Sequence, residues 1–194
     1  MPQTIAFYEQ NSDSFFDSTV TVDAQALYDQ FLPLLPEQAH ILDAGCGSGR
    51  DSLAFLKAGY RVSAFDGSES MGQRASGLTG LDVKHSLFLD FSSDEQFDAI
   101  WACASLLHVP LQELSVTFSH LSTFLKGDGL FYCSFKLGNG EEKRGGRHFT
   151  NLDEQGFEKV LKSTDLTIAR TWITQDLRPG RENEHWLNAI LKKA

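Results

Sequence analysis

The chain has 194 residues, 41% of them hydrophobic and 22% charged, with 16 glycines and 5 prolines, the make-up of a soluble globular protein. That length predicts one domain over 1–194, burying roughly 70% of the surface its unfolded chain exposes. A net charge of −9 argues against a binder of nucleic-acid backbones, which needs a basic field to displace counterions. Cys46, Cys103 and Cys133 are odd in number and sit in apolar or glycine-rich settings, so they read as reduced thiols of a cytoplasmic protein. The opening MPQTIAFYEQ has neither the basic start nor the apolar core of a signal peptide, and no run approaches a membrane span.

In chain order, IAFYEQNSDSFF is followed by a predicted helix over 23–35, and short apolar runs then alternate with helix-length segments. The predicted strands are 40–44, 60–65, 82–89, 97–103, 129–135, 166–173 and 185–192, with further helices near 49–58, 68–76, 111–125 and 151–163. Pro110 suits a helix's first turn, and Thr150 or Asn151 can cap NLDEQGFEKVLK. Such alternation predicts a doubly wound, mostly parallel α/β sheet. The stretch GNGEEKRGGRHF (138–149) reads as one long irregular loop, and the last two strands, joined by QDLRPGREN, as a closing antiparallel hairpin. Trp172 and Trp186 are expected in the sheet core.

The chemistry concentrates in ILDAGCGSGRD. A buried strand running into a glycine turn and a helix is a site for a nucleotide-like ligand. The dinucleotide pattern G-x-G-x-x-G fails, because its third glycine falls on Arg50, and there is no phosphate loop of the G-x-x-x-x-G-K-[ST] type. Asp43 ends the strand, where a carboxylate repels a pyrophosphate but suits an ammonium group. Asp66 ends the second strand 21 residues after Gly45, placed to accept from ribose hydroxyls. A nucleoside bearing an amino acid and no phosphate meets both demands, and S-adenosylmethionine is such a molecule.

LDAGCGSGRD followed by VSAFDGSESM resembles the first two cofactor motifs of the class I S-adenosylmethionine-dependent methyltransferases; LFLDF, FDAIWACASLLHV and LSTFLKGDGLFYCSF are similar to the later motifs. The small size and WACASLLHVP look most like the tellurite-resistance and small-molecule branch. The resemblance implies a Rossmann-like sheet of seven strands in the order 3-2-1-4-5-7-6 with the last antiparallel, a lid region over 1–35 and the core over 36–194. It implies that Gly45, Cys46, Gly47 and Gly49 approach the methionine part of the cofactor, with Asp43 near its amino group. Asp66 would hold the ribose, Gly67, Ser68 and Met71 would border it and the adenine, Asp90 and Phe91 would contact the adenine, and Cys103 would line the methionine part. Arg50 either binds the cofactor carboxylate or pairs with Asp51 or Glu69 on the surface.

Methyl transfer from a sulfonium needs in-line positioning first, and a base only when the acceptor must lose a proton. His108, after the fourth strand, is the candidate base, against a purely structural role. Tyr8 is a candidate lid contact, against an amphipathic helix packed on the sheet. Lys136, Lys143, Arg144 and Arg147, with Arg178 and Arg181, predict a small anionic acceptor held chiefly by Arg144, Arg147 and Arg178, unless they are loop charges paired with Glu141, Glu142, Glu182 and Glu184. No metal-ligand spacing is present, and ACASLL stands where many amino-directed base methyltransferases carry [DN]-P-P-[YFW]. The alternatives are methylation of RNA or protein, a non-catalytic S-adenosylmethionine-binding module, and a dehydrogenase, which Asp43 and Arg50 disfavour.

Overall fold

The computed structural model describes residues 2–194. Helix α1 (Pro2–Thr19) departs from helical geometry at Asn11. Helix α2 (Gln25–Phe31) passes through a 3-10 turn (Leu32–Leu34) into β1 (His40–Ala44). Then come α3 (Arg50–Lys57), β2 (Arg61–Asp66), α4 (Glu69–Thr79), β3 (Lys84–His85) and β4 (Phe97–Ala102). The second half holds α5 (Leu111–Ser122), β5 (Leu125–Lys136), β6 (Gly140–Arg144), β7 (Arg147–Asn151), α6 (Glu154–Leu161), β8 (Leu166–Gln175) and β9 (His185–Lys193).

Seven strands form one sheet in the order β3-β2-β1-β4-β5-β9-β8, parallel except for β9, which runs antiparallel to both neighbours. This is the predicted order, because β6 and β7 pair with each other outside the sheet. All five residues of β1 are buried, as a central parallel strand covered on both faces requires. Successive residues point to opposite faces. Ile41, Trp101, Tyr132 and Ile190 therefore pack with Leu27, Phe31 and Phe55 on one face. Leu42, Ile100, Phe131 and Leu191 pack with Phe118, Leu121 and Phe157 on the other.

Several local expectations are corrected. The predicted strand over 82–89 yields only two paired residues, because the chain turns at Leu87, whose carbonyl accepts from the amides of Asp90 (3.1 Å) and Phe91 (3.0 Å). The predicted loop over 138–149 is largely the β6–β7 hairpin. Gly145 (φ 55°) and Gly146 (φ 77°) supply the two left-handed positions a two-residue turn needs, and Phe149 anchors the hairpin in the core. Helix α6 is capped by Asp153, which accepts from the Gly156 amide at 2.7 Å, not by Thr150 or Asn151, which belong to β7. Pro110 stands just outside α5, at its N-cap. The 1–35 region is split in role, since Leu27, Tyr28 and Phe31 of α2 are core residues. Among the described residues no helix is long and apolar enough to cross a membrane.

Phe118 is fully buried against Phe131, Phe135 and Phe157. Phe118→Ala is expected to cost about 3–5 kcal/mol, seen as a lower urea midpoint at unchanged slope. A loss below ~1 kcal/mol would mean that this face is not a close-packed core.

Candidate functional site

The carboxyl ends of β1, β2, β4 and β5 open on a cavity of about 570 Å³. Its floor is the turn from Gly45 to Gly49. The amides of Gly45 and Cys46 both donate to the Phe65 carbonyl (2.9 and 3.1 Å), tying the turn to the end of β2. The Gly47 amide donates to Asp66 Oδ2 at 2.8 Å, and the Ser68 amide to Asp66 Oδ1 at 2.8 Å. Gly47 has φ 54°, and a Cβ there would project into open space within the cavity. Gly45, which lines the cavity, and Gly49, which does not, are both closely packed: a Cβ would lie 2.7 Å from Ser105 and 3.0 Å from Ala75 respectively. Gly49 accordingly leaves the lining, as does Ser68, which caps α4 by accepting from the Met71 amide.

Three carboxylates gather at this end. Asp43, 2% exposed, accepts from Ser52 Oγ at 2.6 Å. Burial, reinforced by the negative charge of Asp51, pushes its carboxyl up to about 8. Burial also raises Asp66. Asp51 accepts from Tyr28 Oη (2.5 Å), Arg50 Nε (2.6 Å) and Trp101 Nε1 (2.8 Å). Its burial is outweighed by Arg50 and these donors, which hold it below the usual range. Arg50 therefore pairs with Asp51, but inside the cavity wall and not on the surface, with only Nε used by this contact.

Cys46, Gly67 and Met71 line the cavity as expected. Cys103 does too, its thiol pushed up to about 12 by burial and by Asp51, too high for a nucleophile. Asp90 and Phe91 do not line it. Asp90 is exposed, and Phe91 is core, stacked on Phe65 with ring centroids 4.4 Å apart. The turn at Leu87 puts Ser86, Leu87 and Phe88 on the wall instead.

The far end of the cavity brings together Tyr8, His108, Lys136, Arg144, Arg147, Arg178 and Arg181, all named from the sequence, and adds Phe149. Trp186 lines this end as well, instead of lying in the core. His108 Nδ1 stands 2.6 Å from the carbonyl of His148, so Nδ1 carries the proton and Nε2 accepts from the Tyr8 hydroxyl at 2.8 Å. Burial, helped by the charge of Arg147, brings the His108 imidazole down to about 4. Tyr8 is raised by burial. Helix α1 walls this end through Thr4, Ile5, Tyr8 and Phe15; it is fastened by Glu9 to Ser70 Oγ (2.5 Å), by an Asp13–Arg74 ion pair and by Thr4, whose Oγ1 accepts from the His148 amide (3.0 Å).

A histidine held at about 4 in the fold but near ~6.5 in the unfolded chain makes the unfolded state the better proton acceptor. Its neutral form thus supports folding above pH ~6.5, and that support is lost as pH falls toward 4, at about 1.4 kcal/mol per unit. Urea unfolding at pH 7 and pH 5 should show a larger acid loss for the wild type than for His108→Gln. Equal losses would place an ordinary imidazole at 108.

Residues 41–129 match the family model described as a methyltransferase domain. An uncharacterized methyltransferase of Staphylococcus carnosus is 30% identical over 122 residues, 59% of this chain and 59% of that protein. The chain thus spans less than two thirds of the length of the curated relatives it matches. In structure it is similar to the 1,6-didemethyltoxoflavin-N1-methyltransferase of Burkholderia thailandensis, solved with its namesake compound and S-adenosylhomocysteine: TM-score 0.77, 22% identity, 98% of this chain and 85% of that one. It is also similar to the magnesium protoporphyrin IX methyltransferase of Synechocystis PCC 6803: TM-score 0.65, 22% identity, 97% and 84% covered. Residues 41–129 thus match a methyltransferase-domain model, and the chain has the fold of the S-adenosylmethionine-dependent methyltransferases it is similar to.

Proposed function

We propose that this chain transfers a methyl group from S-adenosylmethionine to a small, anionic acceptor, within one domain covered by α1. The observation that carries the reading is the Gly47 backbone, bare of any side chain and open to a cavity whose two ends differ in charge. The residues fit the cofactor. Gly47 leaves the space a ligand atom needs, Asp43 offers an oxygen to an ammonium group, and Asp66 lies beside the turn for ribose hydroxyls. Arg50 adds a cation suited to a carboxylate, its Nε fixed by Asp51. Bound there, the cofactor supplies an activated methyl group on sulfur.

The chain's own work is then mostly placement. Helix α1 and the β4 end wall the acceptor side and exclude water, through Tyr8, Leu107 and His108. Arg144, Arg147 and Arg178 meet the acceptor's negative charge, which the chain's overall charge of −9 would otherwise repel. The Tyr8–His108 pair is the proton-handling group: a proton given to Tyr8 Oη is matched by the one Tyr8 passes to His108 Nε2. The similar 1,6-didemethyltoxoflavin-N1-methyltransferase, solved with 1,6-didemethyltoxoflavin bound, supports the small-molecule reading. The lack of any basic excess speaks against RNA.

Calorimetry with S-adenosylmethionine and S-adenosylhomocysteine tests the cofactor part. Both should bind, Asp66→Ala should weaken binding, and Gly47→Val should weaken it more, because a branched side chain would fill the ligand's space in a left-handed backbone. Undiminished affinity in both variants would sink the assignment. Appearance of S-adenosylhomocysteine during turnover separates an enzyme from a binding module.

A further inference from the structure

The acceptor end holds five cations, Lys136, Arg144, Arg147, Arg178 and Arg181, around two carboxylates, Asp176 and Glu184. Arg178 is paired: one edge of its guanidinium, Nε and Nη2, meets the two oxygens of Asp176 at 2.9 and 2.5 Å. Glu184 is shared by Lys136, by Arg144 at 3.6 Å and by Arg181 at 3.5 Å. Arg147 differs from these four. Its Nε is shut off from solvent and meets no acceptor among the described residues, and no described carboxylate stands within ion-pair reach. What surrounds it is aromatic: the Phe7, Phe149 and Tyr8 ring centroids lie 4.5, 5.2 and 5.8 Å from its guanidinium carbon.

Ring faces stabilise the charge of a guanidinium without using its in-plane N–H donors, and although the Tyr8 hydroxyl engages the guanidinium, the buried Nε–H of Arg147 has no acceptor among the described residues. A desolvated donor without an acceptor is costly, and the planar fork of arginine matches the paired oxygens of a carboxylate or phosphate. Two of the three rings, Phe7 and Tyr8, belong to α1, while Arg147 and Phe149 belong to β7. The same arginine thus sits at the seam between the covering helix and the hairpin, beside the Tyr8 hydroxyl that bonds His108.

Resting on the methyl-transfer reading above, we propose that Arg147 binds an oxyanion of the acceptor, a carboxylate or a phosphate on a flat apolar body, and that this contact couples acceptor binding to the docking of α1. Arg178, with one edge of its guanidinium already on Asp176, is the less available of the two for such a bidentate contact. The flat body follows from the rings of Phe149 and Trp186 and the side chain of Leu107 on the same wall. Coupling follows from linkage: an anion that holds Arg147 against Phe7 and Tyr8 binds better when α1 is docked, and so favours the docked state.

The probes are benzoate, phenyl phosphate and the neutral benzamide, added to protein saturated with S-adenosylhomocysteine. Thermal shift reads binding, and hydrogen exchange reads the amides of α1. Benzoate, phenyl phosphate or both should raise the melting temperature and slow exchange over α1, the stronger of the two naming the oxyanion, while benzamide does neither. In Arg147→Ala the anion should bind about ten- to a hundredfold more weakly, and α1 should lose its added protection. Arg147→Lys should recover part of the affinity, since an ammonium cannot form the fork. Retained affinity for S-adenosylhomocysteine shows that each variant is folded. Benzamide acting as well as the anions, no response to either anion, or an unchanged response in Arg147→Ala would each overturn the proposal. Failure of S-adenosylhomocysteine to bind the wild type would instead overturn the methyl-transfer reading itself.

Discussion

The carboxylate of Asp51 is the constraint on which the rest of the site depends. It is 7% exposed, and a charge so placed is tolerated only when its oxygens are filled. Tyr28 brings α2 to it, Arg50 brings the start of α3, and Trp101 brings β4. Trp101 in turn stacks on Tyr132 of β5, with ring centroids 3.8 Å apart. One ion therefore fixes the distance between the glycine turn and the two strands that carry the opposite wall. Removing Arg50 would leave an uncompensated charge beneath the glycine turn, and removing Tyr28 or Trp101 a carboxylate oxygen short of a donor, so the polar and apolar parts of this region stand or fall together.

Charge is laid out along the cavity in one direction. Asp43, Asp51 and Asp66 lie at the glycine end, and the five cations at the other. Asp43 is held largely protonated near neutral pH because burial and Asp51 both oppose its ionisation. A cationic ligand group beside it would favour the carboxylate, so a positive ligand suits the glycine end. The cations opposite prefer a negative one. Such a gradient is what two ligands of opposite charge, brought head to head, require.

Legibility in the sequence followed how local each cause is. The β1–turn–α3 unit was readable because strand, glycines and helix are contiguous, and Asp66 because one strand later is still close in sequence. The five outer cations were readable as a cluster, but the pairing of Arg178 with Asp176 and the isolation of Arg147 depend on where two distant loops settle. The β6–β7 hairpin was missed although Gly145–Gly146 is a two-residue turn signal, since its flanking strands are charged and show no alternating pattern. Asp90 and Phe91 were carried over from a resemblance that assumes a long third strand. With β3 only two residues long, the chain turns early and sends one side chain out and the other into the core. Asp51 was named only as a possible surface partner of Arg50, because three of its contacts come from residues 1 to 50 positions away.

The cationic end raises the question of how a fold holds five like charges together. Lys136, 8% exposed, shows the cost: burial and the neighbouring arginines bring its ammonium down to about 8. The fold offsets this with Glu184 and Asp176, and with the rings of Phe149 and Trp186, 5.8 and 5.5 Å from the Lys136 nitrogen. The hairpin is then more than a decoration of the sheet edge: Phe149 roots it in the core, and its two-residue turn returns Arg147 directly opposite Arg144. Two carboxylates can neutralise only part of such a group without abolishing its attraction for an anion. Compensation is accordingly uneven: Asp176 takes one edge of Arg178, Glu184 is shared by three cations, and Arg147 has rings and the Tyr8 hydroxyl but no described carboxylate, where the covering helix meets the wall.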